Sequence, residues 1–247
     1  MQDRRVAEMP NYGIDAPGVV QGMFGGALAA GVVGLLLLAY APGWLSIFGY
    51  AILAVALVPL ILGVSMLLYA FVGKQRFRDH LLRQRSWRGD ETVLDIGAGR
   101  GLMAIGAALR VPTGRVIALD IWSSRDLSGN NPEGLQNNAA LEGVERLVEI
   151  VTADARKIDL PDSSVDVVLS VFCIHNIEPA AEQQNACREI TRVLKPGGIA
   201  MIADFPGVGG YVEVFRQAGL QVKGPMRAES IAFGIAGYLV ATKPIAN

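Results

Sequence analysis

The sequence predicts an α/β protein in which a doubly wound, mostly parallel sheet of seven strands follows a hairpin of two apolar helices. Short apolar strands alternate with helices from about residue 90 onwards, which is the pattern of parallel sheets with crossover helices. A glycine-rich turn follows the first of these strands, and no charged residue occurs from Ala16 to Gly73. We therefore expect four regions: a tail over 1–18, an apolar hairpin over 19–73, a basic linker over 74–89 and an α/β domain over 90–247.

The apolar region is long enough for two membrane-spanning helices. Ala41-Pro42-Gly43 is a turn signal near its middle, because proline lacks a backbone donor and glycine accepts unusual dihedrals. The predicted helices are Val19–Tyr40, which would measure ~33 Å against a hydrocarbon core of ~30 Å, and Trp44–Val72, which can tilt or bend at Pro59. Gly22-x-x-x-Gly26 would let them approach closely, unless these glycines are ordinary membrane-helix composition. A signal peptide and a buried soluble hairpin are the alternatives, although the length of the run argues against the first.

A basic stretch follows the second apolar helix. Six Lys and Arg residues lie between Lys74 and Arg88, and an excess of such residues marks the cytoplasmic side of a membrane. Since a hairpin returns the chain to its starting side, we expect an integral protein of the cell (inner) membrane with both termini and the α/β domain cytoplasmic. Arg4 and Arg5 in the tail agree with this topology. The stretch is either a solvated linker or a short amphipathic helix that lies on the headgroups through Phe77, Leu81 and Leu82, with Trp87 beyond them.

The α/β domain shows its elements in order. Four helices are predicted. The second begins at Pro132, after Asn130-Asn131 as possible caps. The third ends at Lys195-Pro-Gly-Gly198, and the last ends at Gly219. The strands are expected at about 92–96, 115–119, 148–151, 165–172, 199–203, 221–225 and 237–242. The helices are expected at about 102–109, 132–141, 183–194 and 211–218.

Composition excludes some functional classes. The formal net charge is −1, whereas nucleic-acid binders normally show a strong basic excess, so no nucleic-acid partner is expected. Cys173 and Cys187 form no C-x-x-C pair, and no nearby histidine pattern completes a zinc site. We expect both to be reduced thiols and predict no metal site.

The glycine-rich turn carries the clearest chemical signal. Asp95-Ile-Gly97-Ala98-Gly99-Arg-Gly101 lies between a strand and a helix, which places it at the carboxyl edge of the sheet, where ligands bind. Glycines let the backbone approach a ligand closely. The spacing is G-x-G-x-G, and Leu102 takes the place of the last glycine of the dinucleotide fingerprint. A carboxylate at Asp95 suits a cationic ligand better than a pyrophosphate.

This segment resembles motif I of class I S-adenosylmethionine-dependent methyltransferases, which have a Rossmann-like sheet. Asp120 at the end of the second strand, Asp154 in Thr-Ala-Asp-Ala155, the strand that leads to His175-Asn176, and Leu194-Lys-Pro-Gly-Gly198 match further family marks in the same order. The resemblance covers about residues 91–244 and implies S-adenosyl-L-methionine as the cofactor. The cofactor-binding residues it implies are Asp95, Gly97, Ala98, Gly99, Gly101, Asp120, Ile121, Trp122, Asp154, Ala155 and Val171.

One connection departs from the family pattern. The link from Asp120 to the next helix, Ile121 to Asn131, is longer than usual. Trp122 can pack on the adenine or ribose there while the remainder forms a lid. The alternative is an ordered surface loop.

Methyl transfer from a sulfonium is an in-line displacement, so the enzyme mainly aligns the reactants. A base is needed only where the nucleophile must lose a proton. His175 is the best catalytic candidate, because it follows the fourth strand and histidine titrates near neutrality; the alternative is that it positions substrate or only packs locally. Asp204 at the end of the fifth strand is a weaker candidate.

The sequence contains no second soluble region that would form a substrate pocket. We therefore expect a hydrophobic or amphiphilic acceptor resident in the lipid bilayer, such as a lipid headgroup, a quinone or another isoprenoid. The apolar helices can also pair into a homo-oligomer. Two other classes remain open: a cofactor-binding membrane partner without activity, and a nucleotide-dependent oxidoreductase, which the glycine spacing opposes.

Overall fold

The computed structural model describes residues 9–227 and 236–245. Within these residues the chain divides into two compact units. The first is an α/β unit made of the described parts of Met1–Tyr12, Gly73–Ser124 and Gly129–Asn247; the second is a helical unit made of Gly13–Val72 and Arg125–Ser128. Arg4 and Arg5, which support the predicted topology, lie outside the described residues.

The described part of the α/β unit contains one sheet of seven strands. They are β1 Thr92–Ile96, β2 Arg115–Asp120, β3 Val148–Thr152, β4 Val165–Val171, β5 Leu194–Asp204, β6 Gln221–Arg227 and β7 Gly237–Thr242. Their order in the sheet is β3-β2-β1-β4-β5-β7-β6. The first five strands are parallel, and β7 runs antiparallel to both β5 and β6. This confirms the predicted α/β class with a mostly parallel sheet.

The sheet order decides where a ligand can bind. The order of strands reverses between β1 and β4, which are hydrogen-bonded neighbours. In β4 Val165, Val167, Val168 and Leu169 are fully buried, as expected for a central strand that is covered on both faces. Loops at the carboxyl ends of two such strands diverge to opposite faces and leave a crevice. The segments that follow β1 and β4 therefore border the candidate site.

The helices and strands of this unit agree with the predicted positions to within two residues, except at two boundaries. The third predicted helix begins at Ala180 instead of Gln183, and β5 begins at Leu194 instead of Ile199. The predicted turn Lys195–Gly198 lies within β5, because a register shift between Val165 and Val167 accommodates the extra residues. The helices are α3 Lys74–Leu82, α4 Leu102–Ala108, α5 Pro132–Leu141, α6 Ala180–Val193 and α7 Gly209–Gln217.

Helix α3 corrects the prediction for the basic stretch. Phe77, Leu81 and Leu82 are fully buried and belong to the α/β unit, so they do not form a face for headgroups. The Trp87 indole N–H donates to the Leu82 carbonyl at 2.8 Å. Lys74 is also buried, and its ammonium donates to the Tyr12 carbonyl at 3.2 Å. The apolar spacing that predicted an interfacial helix instead places α3 in the protein core.

The helical unit consists mainly of two long helices, α1 Pro17–Tyr40 and α2 Ser46–Leu68, and a one-turn π-helix, Tyr69–Gly73, follows α2. Pro17 occupies the first turn of α1, where a missing N–H costs nothing. By length and composition alone, two helices could cross a membrane: Pro17–Tyr40 and the continuous run Ser46–Leu82. Only 11% of the residues in each apolar window are buried within the protein, which is unlike the core hairpin of a soluble protein.

Glycines set the contact between α1 and α2, but not the predicted pair. A Cβ on Gly34 would lie 3.1 Å from the Gly49 carbonyl oxygen, and one on Gly49 would lie 2.9 Å from the Gly34 carbonyl oxygen. By contrast, Gly22 and Gly26 have open space around them. The expectation that Gly22-x-x-x-Gly26 brings these two helices together is therefore wrong, because that face of α1 points away from α2.

The segment before α1 pairs with the residues 125–128 in the same unit. Asp15 and Leu127 form an antiparallel bridge. The Ala16 N–H donates to the Asp126 carbonyl at 2.8 Å, and the Ile14 N–H donates to the Ser128 hydroxyl at 2.8 Å. The middle of the long connection after β2 is thus ordered by backbone pairing.

Candidate active site

The turn after β1 has a conformation that requires glycine. Gly97, Gly99 and Gly101 have φ of 72°, 55° and 88°, and side chains rarely tolerate this left-handed region. A Cβ on Gly97 would also overlap Cβ and Sγ of Cys173, which follows β4. The turn therefore brings backbone, without side chains, to the crevice between β1 and β4.

Asp95 lies at the base of this turn and is fully buried. Burial and, to a smaller extent, the nearby charge of Asp120 raise the pKa of its carboxyl to about 8, although a backbone hydrogen bond from Ala104 opposes the shift. Among the described residues, Oδ2 of Asp95 has no hydrogen-bond donor. A buried, unpaired carboxylate is costly, so the site favours a ligand that brings a positive charge to this oxygen.

Asp120, at the end of β2, connects the glycine turn with the connection that follows. Its carboxylate accepts hydrogen bonds from the backbone N–H groups of Gly99 at 2.7 Å and Trp122 at 2.5 Å. The Ala98 N–H donates to the Leu119 carbonyl at 3.1 Å. The structure therefore brings together the predicted residues Asp95, Ala98, Gly99 and Asp120.

Trp122 lies across the ends of two strands. Its φ is 62°, which is unusual for a bulky residue, and its indole N–H donates to the Thr152 hydroxyl at 2.7 Å. The aromatic ring thus reaches from the end of β2 to the end of β3. Ile121 beside it is 65% exposed, so its side chain is not part of an enclosed pocket in this structure.

Three further residues predicted to bind the cofactor, Asp154, Ala155 and Val171, differ in their surroundings. Ala155 is buried, and Val171 at the end of β4 is half-buried. Asp154 is bound by the Arg156 guanidinium and accepts from the Arg156 backbone N–H at 2.8 Å. This partner lowers the pKa of the Asp154 carboxyl. Sequence reasoning missed Arg156, although its spacing of two residues could have indicated the pair.

On the other side of the crevice, His175 is oriented by Asp204. His175 lies in a 3-10 turn after β4, and its Nδ1 contacts the Asp204 carboxylate. The same carboxylate accepts from the His175 backbone N–H at 2.9 Å and from the Tyr211 hydroxyl at 3.0 Å. Asp204 is fully buried. Burial of Tyr211 and, after it, the charge of Asp204 raise the pKa of the Tyr211 hydroxyl.

This arrangement assigns different roles to the two predicted base candidates. With Nδ1 protonated toward Asp204, the lone pair of His175 resides on Nε2. The His175 side chain is 30% exposed, whereas that of Asp204 is 1% exposed. Of the two side chains, that of His175 is therefore the more exposed, and the Asp204 carboxylate orients it. Tyr211 was not predicted as a site residue, because it lies 36 residues after His175 (211 − 175).

The turn that carries His175 contains a strained residue. Phe172 has φ of 54°, a left-handed conformation that is an outlier for an aromatic residue. Its ring stacks on Phe77 of α3 with ring centroids 6.1 Å apart, and its N–H donates to the Ala203 carbonyl at 2.9 Å. Helix α3 thus supports the turn between β4 and His175.

Replacing Gly97 with alanine should disrupt the site. The new methyl group would overlap Cys173 and force a positive φ on alanine. We expect the affinity for S-adenosylmethionine, the cofactor that the resemblance implies, to fall by about 5- to 150-fold by calorimetry, because a strained backbone costs of order 1–3 kcal/mol. Gly143→Ala is the matched control, since Gly143 also has a positive φ of 70° but open space around it. Equal affinity for S-adenosylmethionine in the two variants would show that the turn accepts a side chain at residue 97.

Comparison with known proteins gives matches to methyltransferases. A family model described as a methyltransferase domain matches residues 94–202. Ubiquinone/menaquinone biosynthesis C-methyltransferase UbiE from Ectopseudomonas mendocina is 35% identical over 123 residues, which are 49% of this chain and 44% of that protein. The protein of the same name from Pseudomonas fluorescens is 35% identical over 119 residues, 48% of this chain and 43% of that protein. The chain thus spans less than half the length of these relatives.

Solved structures share the fold at low identity. A SAM-dependent methyltransferase from Aquifex aeolicus superposes with a TM-score of 0.53 at 21% identity, covering 67% of this chain and 88% of that chain. Geranyl diphosphate methyltransferase in complex with SAM superposes with a TM-score of 0.54 at 12% identity, covering 70% of this chain and 85% of that chain. The strand order, the glycine turn with its buried carboxylate and the family match agree. Residues 94–202 are therefore similar to a methyltransferase domain, and the α/β unit shares the fold of these solved methyltransferases.

Proposed function

We propose that this protein transfers a methyl group from S-adenosylmethionine to an amphiphilic acceptor in the membrane. Binding of the cofactor is supported by the buried Asp95 carboxylate, of which one oxygen has no hydrogen-bond donor among the described residues. An ammonium group of the cofactor would supply both a charge and a hydrogen bond there. The glycine turn and Asp120 would hold the adjoining part of the cofactor, and Trp122 and Ala155 the adenine.

The cofactor supplies a methyl group that is already activated by a positively charged sulfur. The protein must then hold an acceptor in line with it and, for an acceptor with an acidic proton, take that proton. Nε2 of His175 would receive the proton, while Asp204 stabilises the resulting imidazolium. S-adenosylmethionine would supply the methyl carbon and leave as a neutral thioether, so the protein would have to take up only the proton that the acceptor loses.

The hairpin supports an acceptor of membrane origin. Both helices expose large apolar side chains along their length, including Leu36 and Val58, which is the surface expected of lipid-facing helices. We propose that they anchor the chain in the cell membrane with the methyltransferase domain on the cytoplasmic side. The matched relatives are named as C-methyltransferases of ubiquinone/menaquinone biosynthesis. This name favours a quinone precursor, a ring with an isoprenoid chain, among the amphiphilic acceptors.

Labelled methyl transfer tests the proposal. The full chain, reconstituted in vesicles with a bacterial lipid extract and deuterated S-adenosylmethionine, should give a single lipid-soluble product that carries one labelled methyl by mass spectrometry. The variant with both Leu36→Lys and Val58→Lys should lose this product, because each charge in the membrane costs about 2.5–3.5 kcal/mol. It should still bind the cofactor. Methylation of water-soluble acceptors alone, at the same rate in both proteins, would overturn the membrane assignment.

A further inference from the structure

Asn130 is a buried polar residue at the end of the long connection after β2. It is 9% exposed, and its Nδ2 donates to the Ser123 carbonyl at 3.2 Å. A longer contact of 3.4 Å joins the same Nδ2 to Oδ1 of Asp120. The connection therefore returns to the glycine turn and Asp120 before α5 begins.

These contacts fix the orientation of the side-chain amide. Both neighbours are acceptors, so the NH₂ group must face them, because a carbonyl oxygen in its place would face two oxygens. The Asn130 carbonyl oxygen, Oδ1, then points away from them. Among the described residues, this buried oxygen has no hydrogen-bond donor. Buried acceptors are nearly always satisfied in native proteins, so a donor beyond the described residues, such as a bound ligand or water, would satisfy this oxygen.

The neighbouring asparagine shows the contrast. Oδ1 of Asn131 accepts from the Gly134 N–H at 2.7 Å and caps α5. Asn131 thus has the structural role that its position predicts, whereas Asn130 contributes its oxygen to no helix cap. The Asn131 side chain therefore caps the helix, whereas the amide oxygen of Asn130 is available to a ligand.

The surroundings of Asn130 indicate the ligand group. Asp120 lies beside it, and both offer acceptor oxygens at the edge of the site that follows β2. Two neighbouring acceptors suit a sugar diol, whose hydroxyls donate. We propose, on the basis of the methyltransferase function above, that Oδ1 of Asn130 accepts a hydrogen bond from a ribose hydroxyl of S-adenosylmethionine. The long connection after β2 would then contribute two residues to the cofactor site, Trp122 and the specificity residue Asn130.

Ligands that lack one hydroxyl test this assignment without turnover. S-adenosylhomocysteine and its 2′-deoxy and 3′-deoxy analogues are titrated by calorimetry into the full chain in detergent micelles. Asn130→Ala should weaken S-adenosylhomocysteine binding by about tenfold. It should leave the affinity for one of the two deoxy analogues within about twofold of that of the unsubstituted protein, because that analogue lacks the hydroxyl that Asn130 binds. Asn131→Ala, which removes the cap, should change all three affinities by the same factor.

The outcomes separate the hypotheses. A loss in Asn130→Ala that is equal for all three ligands, or no loss at all, overturns the assignment, because a packing role or a bound water would not distinguish the hydroxyls. If the unsubstituted chain binds none of the three ligands, the proposed function fails and the assignment fails with it. Binding by the unsubstituted chain with no ligand-dependent effect in the variant leaves the proposed function intact and rejects only the role of Asn130.

Discussion

Replacing Asp95 with asparagine should weaken the binding of S-adenosylmethionine by about 10- to 100-fold, because hydrogen bonds to charged groups contribute about 1.5–3 kcal/mol. Asparagine keeps the size of the side chain but removes the charge that would face a cationic donor. Calorimetry with the full chain in detergent micelles measures the change. Asp159→Asn, at an exposed position, is the matched control and should bind as the unsubstituted protein does. Equal affinities in the two variants would remove Asp95 from the donor site.

The same residue predicts a proton change on binding. At pH 7 the carboxyl of the unliganded protein is mostly protonated, since its pKa is raised to about 8. A cationic ligand favours the ionised form, so binding should release up to about one proton. Calorimetry at pH 7 in two buffers with different ionisation enthalpies detects this release. The Asp95→Asn variant should release none from this position.

Stability should depend on pH through Asp95 in the direction opposite to an ion-paired carboxyl. The folded chain holds the proton up to a pKa of about 8, whereas the unfolded chain releases it near 3.8. Between these values the folded state binds more protons, so the contribution to stability is complete below about pH 4 and is lost as pH rises toward 8. Thermal unfolding between pH 5 and 9 should therefore show a smaller decline in Asp95→Asn.

The sequence predicted those parts of the candidate site that are local in the chain. Asp95 and the glycines lie on one turn, and their residue types follow directly from a ligand that must approach the backbone. The position of Asp120 could be predicted because parallel strands end at the same edge. The hydrogen bonds of Asn130 could not, since they depend on how a long connection returns to the sheet.

Two errors of interpretation have a common physical cause. The spacing of Phe77, Leu81 and Leu82 shows that one face of a helix is apolar, but not whether lipid or protein covers it. Likewise, Gly22-x-x-x-Gly26 identifies a face that permits close approach without identifying the neighbour, and the observed contact uses Gly34 and Gly49. Periodicity predicts faces, whereas tertiary packing decides what those faces contact.

The acceptor side required the structure. Sequence reasoning treated His175 and Asp204 as alternative bases, because 29 residues separate them in the chain. His175 follows β4 and Asp204 is the last residue of β5, and these neighbouring parallel strands end at the same edge of the sheet. The contact between the two side chains changes the interpretation from two competing candidates to one oriented histidine.

Substitution of His175 by glutamine should lower kcat by about 10²- to 10⁴-fold, the usual contribution of a general base. Labelled methyl transfer to the lipid acceptor measures this effect. Donor affinity should stay unchanged, because the charges that would hold the cofactor lie at Asp95 and Asp120. Full turnover in the glutamine variant would show that the acceptor needs no base and that His175 only packs.

Asp204→Asn tests whether the buried carboxylate acts through His175. Loss of its charge would leave the imidazolium without a stabilising partner, so kcat should fall toward the value of the His175→Gln variant while KM for the donor stays constant. The double variant should be no worse than His175→Gln alone, since both changes remove the same function. Tyr211→Phe is the control: it removes the 3.0 Å bond to Asp204 but keeps the charge, so kcat should fall only about fivefold. A change in KM for the donor with unchanged kcat in Asp204→Asn would assign Asp204 to the structure of the site instead of to the orientation of the base.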